Sequence, residues 1–261
     1  MTSYSIKAIK YCEQSVPGPQ MFHMARWDEW LVADFFFFIL RRDDGAVMLI
    51  DTGVRDVDEI QPIVVAGVGH QGRFRMDMAS QNIPLLLRKE GIDPADVQVV
   101  FLTHLHYDHC SNAQLFPNAR FVVSRSGFHL TLDPPHRALC PAILFPRDVL
   151  AYFVDEARDR LILAGDEAPE IVPGIGAFYI GGHTLCSQAI TVQTRQGPAV
   201  FPGDTVFYYE NLERDHPVGS AVDIAQCYRA MERIRRSAGI VVPPHDPELL
   251  RRFPDGVIVG D

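Results

Sequence analysis

The sequence predicts a single α/β domain in which sheets pack together beneath a covering of helices. Three observations lead there. Apolar, strand-like segments fall in two runs, one in each half of the chain. Helix-like segments separate and flank these runs, the pattern expected of layered sheets with helices outside. The 261 residues, 47% hydrophobic and 22% charged, are enough to bury a sizeable core in one unit.

In the first run, DFFFFILRR (34–42) and AVMLIDTG (46–53) read as strands joined by the hairpin turn Asp43-Asp44-Gly45. DVDEIQPIVVAGVGHQGRFRMDM (56–78) has mixed character, with a loop over its glycine-rich middle, 67–72. QNIPLLLRKEGI (81–92) reads as a helix closed by Gly91, and VQVVFLTH (97–104) as a buried strand. ARFVVSR (119–125) is a further strand, and 126–165 is helical or irregular, broken by Pro134, Pro135 and Pro141. In the second run, PGIGAFYIGGH (173–183) and QAITVQTRQGPAVFPGD (188–204) read as a strand followed by a hairpin. AVDIAQCYRAMERIRRSAG (221–239) is the clearest amphipathic helix, and IVVPPHD (240–246) a last buried strand. With no short-period repeat, low-complexity tract or linker, residues 1–261 read as one domain.

The formal charge of −9 argues against a nucleic-acid partner, because phosphate binding needs clustered Lys and Arg. Arg233, Arg235 and Arg236 form the densest basic patch and read as a solvated helix face. The N-terminal MTSYSIKAIKYCEQ lacks the pattern of a secretory signal, and ADFFFFIL (33–40) falls short of the about 20 residues that span a membrane. Five cysteines at irregular spacings make no disulfide framework. The expected compartment is the cytoplasm.

The stretch THLHYDHCSN (103–112) places His104, His106, Asp108 and His109 directly behind an apolar run. On an extended backbone His104 and His106, two apart, point to the same side. Three further polar residues follow apolar segments in the same way: His183 in YIGGHT, Asp204 in VFPGDT and His245 in VVPPHD. Strand ends of a layered fold converge at one edge, so these side chains can meet. Nitrogen and oxygen donors without cysteine suit Zn²⁺, with Fe, Mn or Co as alternatives. Five histidines and two aspartates exceed one tetrahedral shell and suit two metals about 3.5–4 Å apart, bridged by one carboxylate. His129 and His216, lone histidines, read as surface or core residues.

THLHYDH, followed by GGHT, GDT and PPHD and preceded by LIDTG, resembles the metallo-β-lactamase superfamily over about residues 34–246. The resemblance implies an αββα sandwich, two mixed sheets flanked by helices, with two metals at one edge. It implies His104, His106 and His183 on the first metal, Asp108, His109 and His245 on the second, and Asp204 between them. Asp51 would sit close by, orienting the site without binding metal. His106 stands where the electron-transferring branch carries Glu, which favours hydrolysis. The 16 residues after His245 leave no room for the helical glutathione domain of glyoxalase II relatives, and the chain shows no basic insertion like those of the superfamily's nucleases. True β-lactamases lack a bridging aspartate at the position of Asp204.

The better resemblance is to the N-acyl homoserine lactonase-like branch, through HLHYDH with its aromatic Tyr107, the GDTVFYYENLE segment and the overall length. This implies a zinc-dependent hydrolase that opens a lactone by attack of a metal-bridging hydroxide, with Asp108 available to move a proton. Met21 and Phe22, in MFHMARWDEW (21–30), are expected in the pocket wall or in simple packing, and Tyr107 and Phe207 beside the substrate. Those lactonases often carry a tyrosine three residues after the bridging aspartate; here that position is Phe207, so Tyr208 or Tyr209 is expected to supply the phenol donor. Alternatives are another carboxylic-ester or phosphotriester hydrolase and a non-enzymatic metal-binding or sensor protein. A homodimer is the expected assembly, since dimers are common in that branch.

Overall fold

The computed structural model describes residues 3–260. Four layers stack in the order helix, sheet, sheet, helix. The first sheet has eight strands. Seven run in the order Val257–Val259, Tyr4–Pro17, Trp30–Arg42, Val47–Ile50, Val97–Phe101, Arg120–Ser124 and Leu161–Ala164; Phe74–Arg75 also pairs with Tyr4–Pro17. The second has five, in the order Ile240–Val241, Gly197–Phe201, Gln188–Thr194, Ile175–Tyr179 and Glu167–Val172.

The phenylalanine run shows why the layers form. Side chains alternate across a strand. Phe36, Phe38 and Leu40 therefore face the second sheet, and the Phe38 ring lies 4.9 Å from that of Phe201. Phe35, Phe37 and Ile39 face the other way, sharing a core with Leu87, Val149 and Phe153 from the covering helices. Both faces are buried, which is why the run is continuously apolar rather than alternating. The outer face of the second sheet is covered by helix Ile224–Ser237, whose Ala230, Met231 and Ile234 pack on Phe178, Ile180 and Val200.

Several expectations change. Tyr4–Pro17 is a 14-residue strand, although only its lack of a leader pattern stood out in sequence. Its first residues alternate, with Tyr4, Ile6 and Ala8 inward, and its full length pairs antiparallel with Trp30–Arg42. Val57–Val68 is a helix that includes Gly67, started by Asp56, whose side chain accepts from the Asp58 N–H. Pro62 and the following glycines masked its period. The irregular stretch 126–165 ends in the strand Leu161–Ala164, which pairs parallel with Arg120–Ser124, and Glu167–Val172 precedes the predicted Ile175–Tyr179. The strand expected over 97–104 stops at Phe101. Among the described residues no helix is long and apolar enough to cross a membrane, and the five cysteines are free.

In the first sheet, Val47–Ile50, Val97–Phe101, Arg120–Ser124 and Leu161–Ala164 run parallel; in the second, Gly197–Phe201 and Ile240–Val241 do so. Asp51, His104, His183, Asp204 and His245 all follow the C-terminal ends of strands and meet at one edge of the sandwich.

Candidate metal centre

His104 and His106 sit beyond the end of Val97–Phe101, with His106 capping the one-turn helix Tyr107–Cys110 that carries Asp108 and His109. The strand stops at Phe101, but His106 keeps an extended backbone at φ −72° and ψ 156°, and the helical turn after it redirects Asp108 and His109. Two donor groups result, one of His104, His106, His183 and Asp204, the other of Asp108, His109, His245 and Asp204. Asp204 faces both. Its Oδ2 lies 3.4 Å from His183 Nε2 and 3.7 Å from His104 Nε2. Its Oδ1 lies 3.1 Å from His109 Nε2 and 3.0 Å from His245 Nε2. His183 Nε2 is also 3.1 Å from His106 Nδ1, and His109 Nε2 is 3.1 Å from Asp108 Oδ2.

These spacings fit metal ions. Ligands about 2.0–2.1 Å from a tetrahedral ion stand roughly 3.3 Å from one another. Among the described residues His104 Nε2 and His109 Nε2 are buried with no hydrogen-bond partner, an expensive condition unless a cation is shared with the nearby carboxylates. Four of the five imidazoles are held from behind. His109 Nδ1 contacts Asp51 Oδ2 at 2.8 Å, His245 Nδ1 the Asp34 carbonyl at 3.0 Å, His104 Nδ1 Thr103 Oγ1 at 3.2 Å, and His183 Nδ1 the Ser220 carbonyl. A ring whose Nδ1–H donates to a carboxylate or carbonyl presents its Nε2 lone pair forward.

Asp51 organises this scaffold. It is fully buried at φ +60°, and its Oδ1 accepts from the Thr103 N–H and its Oδ2 from Thr103 Oγ1, each at 2.8 Å. Gly203 closes over the same threonine. At φ +53°, any Cβ there would lie 2.8 Å from Thr103 Cβ, so glycine lets the Asp204 loop approach.

The site divides its histidines electrostatically, lowering His104, His106 and His183 and raising His109 and His245. Burial pushes His104 well down, and His109 beside it adds to this; burial with His183 adjacent takes His106 to about 3. Burial opposes charge on His109 too, but Asp108, Asp204 and Asp51 outweigh it and hold that ring well above its ordinary value. Asp204 resists burial in the same way: the charges of His109, His245 and His104 keep its carboxyl well below the usual range. The carboxylates attract a cation to the space between the groups.

The centre opens into a cavity of about 390 Å³. Its floor is sheet, from Gln14, Val16, Ala33, Phe35 and Phe74; helix Val57–Val68 contributes Ile60, Ile63, Val64 and Val68 as one wall. Sequence reasoning missed all of these. The 60, 63, 64, 67, 68 spacing is a helical stripe and was the available signal.

Of the expected substrate neighbours, Met21, Asp108 and Phe207 line the cavity. The Phe207 ring stands 5.3 Å from His245 and 5.6 Å from His183. Phe22 packs instead on Tyr208 and His216, and the Tyr107 hydroxyl turns to Glu59 Oε2 at 2.8 Å in a neighbouring pocket. Neither Tyr208 nor Tyr209 lines the cavity. The Tyr208 hydroxyl donates to the Val32 carbonyl, and Tyr209 lies beneath Arg252, its hydroxyl without a partner among the described residues. Tyr208 caps helix Tyr209–Glu213, and of the segment Phe207–Tyr209 only Phe207 lines the cavity.

Known proteins resemble this chain in sequence and in fold. The chain is 24% identical over 216 residues to N-acyl homoserine lactonase AiiA of Bacillus thuringiensis subsp. kurstaki, covering 81% of this chain and 80% of that one. Its fold matches, with a TM-score of 0.75 and 20% identity, an N-acyl homoserine lactone hydrolase solved with N-hexanoyl-L-homoserine at its catalytic metal centre; 97% of this chain and 99% of that one are covered. AidC, a dizinc quorum-quenching lactonase solved with a product, matches with a TM-score of 0.67 and 13% identity over 97% of this chain and 89% of that one. The model of the metallo-β-lactamase superfamily matches residues 36–245, from the strand Trp30–Arg42 to the last histidine of the centre, and the chain belongs to that superfamily.

Proposed function

We propose that this protein is a dinuclear zinc hydrolase that opens lactones, with N-acyl homoserine lactones as its substrate class. The observation that carries the reading is the division of Asp204 between two donor groups, Oδ2 to one and Oδ1 to the other, at the base of an apolar cavity. The activities of AiiA and AidC support it, as does the nitrogen and oxygen donor set. A volume of about 390 Å³ lies within the roughly 300–1,000 Å³ of small-molecule sites.

His104, His106 and His183 would hold one ion, Asp108, His109 and His245 the other, and Asp204 both. When bound, two such ions supply a nucleophile near neutral pH by acidifying water, and polarise an ester carbonyl. The protein does the rest. Asp51, Asp34 and Ser220 fix the rings that present donors. Phe35, Phe207 and the Ile60–Val68 stripe keep water from an acyl chain and from the reacting carbonyl. Asp108, whose side chain is more exposed than that of Asp204, is placed to carry a proton between centre and cavity. With both tyrosines turned aside, no tyrosine among the described residues lines the cavity.

The test is metal reconstitution with a panel of substrates. Apoprotein should be inactive, and two zinc ions per chain should restore opening of an N-acyl homoserine lactone. Full activity at one ion per chain sinks the dinuclear reading. Turnover of a phosphotriester but of no lactone assigns the alternative hydrolase, and two bound ions with no turnover assign a non-enzymatic role.

A further inference from the structure

The cavity floor is a sheet surface on which alternate residues face inward: Gln14 and Val16 on one strand, Ala33 and Phe35 on the next, and Phe74 beyond. Gln14 pairs with Ala33 and with Phe74, so it sits in the middle of this floor. Its neighbours there are all apolar. A glutamine in that setting needs a reason, because an unmatched amide group in an apolar wall costs free energy.

Half of that amide is accounted for. Gln14 Nε2 donates to the Gly72 carbonyl at 2.8 Å. A carbonyl can only accept, so this bond fixes which end of the amide is nitrogen and which is oxygen. Among the described residues no donor meets Gln14 Oε1. The side chain thus brings to the cavity a fixed acceptor without a protein partner. Other polar side chains at the cavity outside the metal centre belong to Gln20 and Ser220, both exposed at its rim.

Position favours a particular ligand group. The Phe35 ring packs 4.4 Å from that of His245, and Gln14 is paired two residues along the same strand, at Ala33. One such step is about 7 Å. Gln14 is therefore displaced from Phe35 by one such step and by one strand, which sets it to the side of the centre, toward the substituent on a lactone's α-carbon rather than the reacting carbonyl.

Building on the proposed lactonase activity, we infer that Gln14 Oε1 accepts a hydrogen bond from the amide N–H of an N-acylated lactone. Gln14 is a specificity-determining residue that distinguishes acylamino lactones from lactones bearing a plain alkyl chain. A site built to hydrogen-bond a substrate group discriminates against the analogue that lacks it, because the protein group is then left unpaired.

The test compares Gln14→Leu with the unaltered zinc-loaded protein on two substrates. N-hexanoyl homoserine lactone carries the amide; α-heptyl-γ-butyrolactone places a chain of matching length on the same ring carbon without one. The variant should lose about five- to tenfold in kcat/KM on the first, the size of one neutral hydrogen bond, mostly through KM. Turnover of the second should hold or rise, which also shows that the variant is folded and metal-loaded. An equal fall on both substrates, or no fall on either, overturns the inference and leaves Gln14 as a tie to Gly72. The same selectivity in Gln20→Leu and not in Gln14→Leu overturns it as well. Failure of the unaltered protein on both lactones would instead count against the lactonase reading, so the two failures are distinguishable.

Discussion

Asp51→Asn changes one atom at the pivot of the metal centre. The aspartate accepts three hydrogen bonds, from the Thr103 N–H, from Thr103 Oγ1 and from His109 Nδ1, each at 2.8 Å. Asparagine tolerates the positive φ, so the backbone should survive. Its amide oxygen can keep the Thr103 N–H. Its Nδ2 then stands where Oδ2 was and faces the His109 Nδ1–H, donor against donor. The ring escapes by moving its proton to Nε2, the atom that points at Asp204 Oδ1. A metal needs that same lone pair. Binding therefore restores the clash, at the cost of about 1–3 kcal/mol for a buried unmatched donor. That is a factor of about 5–150 in affinity, overlapping the roughly 10–100-fold losses found when residues supporting metal ligands are removed. The loss should fall chiefly on the ion held by Asp108, His109 and His245, since His109 contacts Asp51 directly, whereas His104 reaches it only through Thr103 and His183 is oriented by the Ser220 carbonyl. Competition against a chromophoric chelator, followed by elemental analysis, measures both ions. An Asp51→Asn protein that keeps two ions at the unaltered affinities would show that Asp51 does not orient His109.

Three further outcomes are expected. Asp204→Asn, which weakens the one residue shared by both groups, should lower occupancy of both ions and abolish turnover together; elemental analysis beside a lactone assay checks this, and full activity with two ions excludes the bridging role. Tyr208→Phe and Tyr209→Phe should each leave kcat within fivefold. They should differ in stability: Tyr208→Phe loses about 1 kcal/mol with its bond to the Val32 carbonyl, while Tyr209→Phe is neutral or stabilising because it removes an unpartnered hydroxyl, and urea denaturation reads both. Gly203→Ala should destabilise the protein by about 1–3 kcal/mol and reduce metal content, since its Cβ strains a left-handed backbone position and meets Thr103 at 2.8 Å; an alanine variant of unchanged Tm and metal content contradicts that packing.

The donor set was legible in the chain because it is written locally. His104, His106, Asp108 and His109 fall within six positions, and His183, Asp204 and His245 each stand just behind an apolar segment, where a layered fold brings strand ends to one edge. The layers were legible too, since runs such as DFFFFILRR can be continuously apolar only when both faces are covered. Long-range pairing decided the rest. The strand Tyr4–Pro17 is half polar and gains its place from its partner Trp30–Arg42. The helix Val57–Val68 carries its stripe through a proline and a glycine, and its tertiary position turns that stripe into a cavity wall. Tyr208 and Tyr209 stand next to Phe207 in sequence, yet the helix start at Tyr209 sends one hydroxyl to Val32 and the other ring under Arg252. Residue spacing determines which side chains can share a turn or a face. The direction in which a side chain leaves that turn depends on elements up to 176 residues away, as the bond from Tyr208 to Val32 shows, and only the packed structure brings them together.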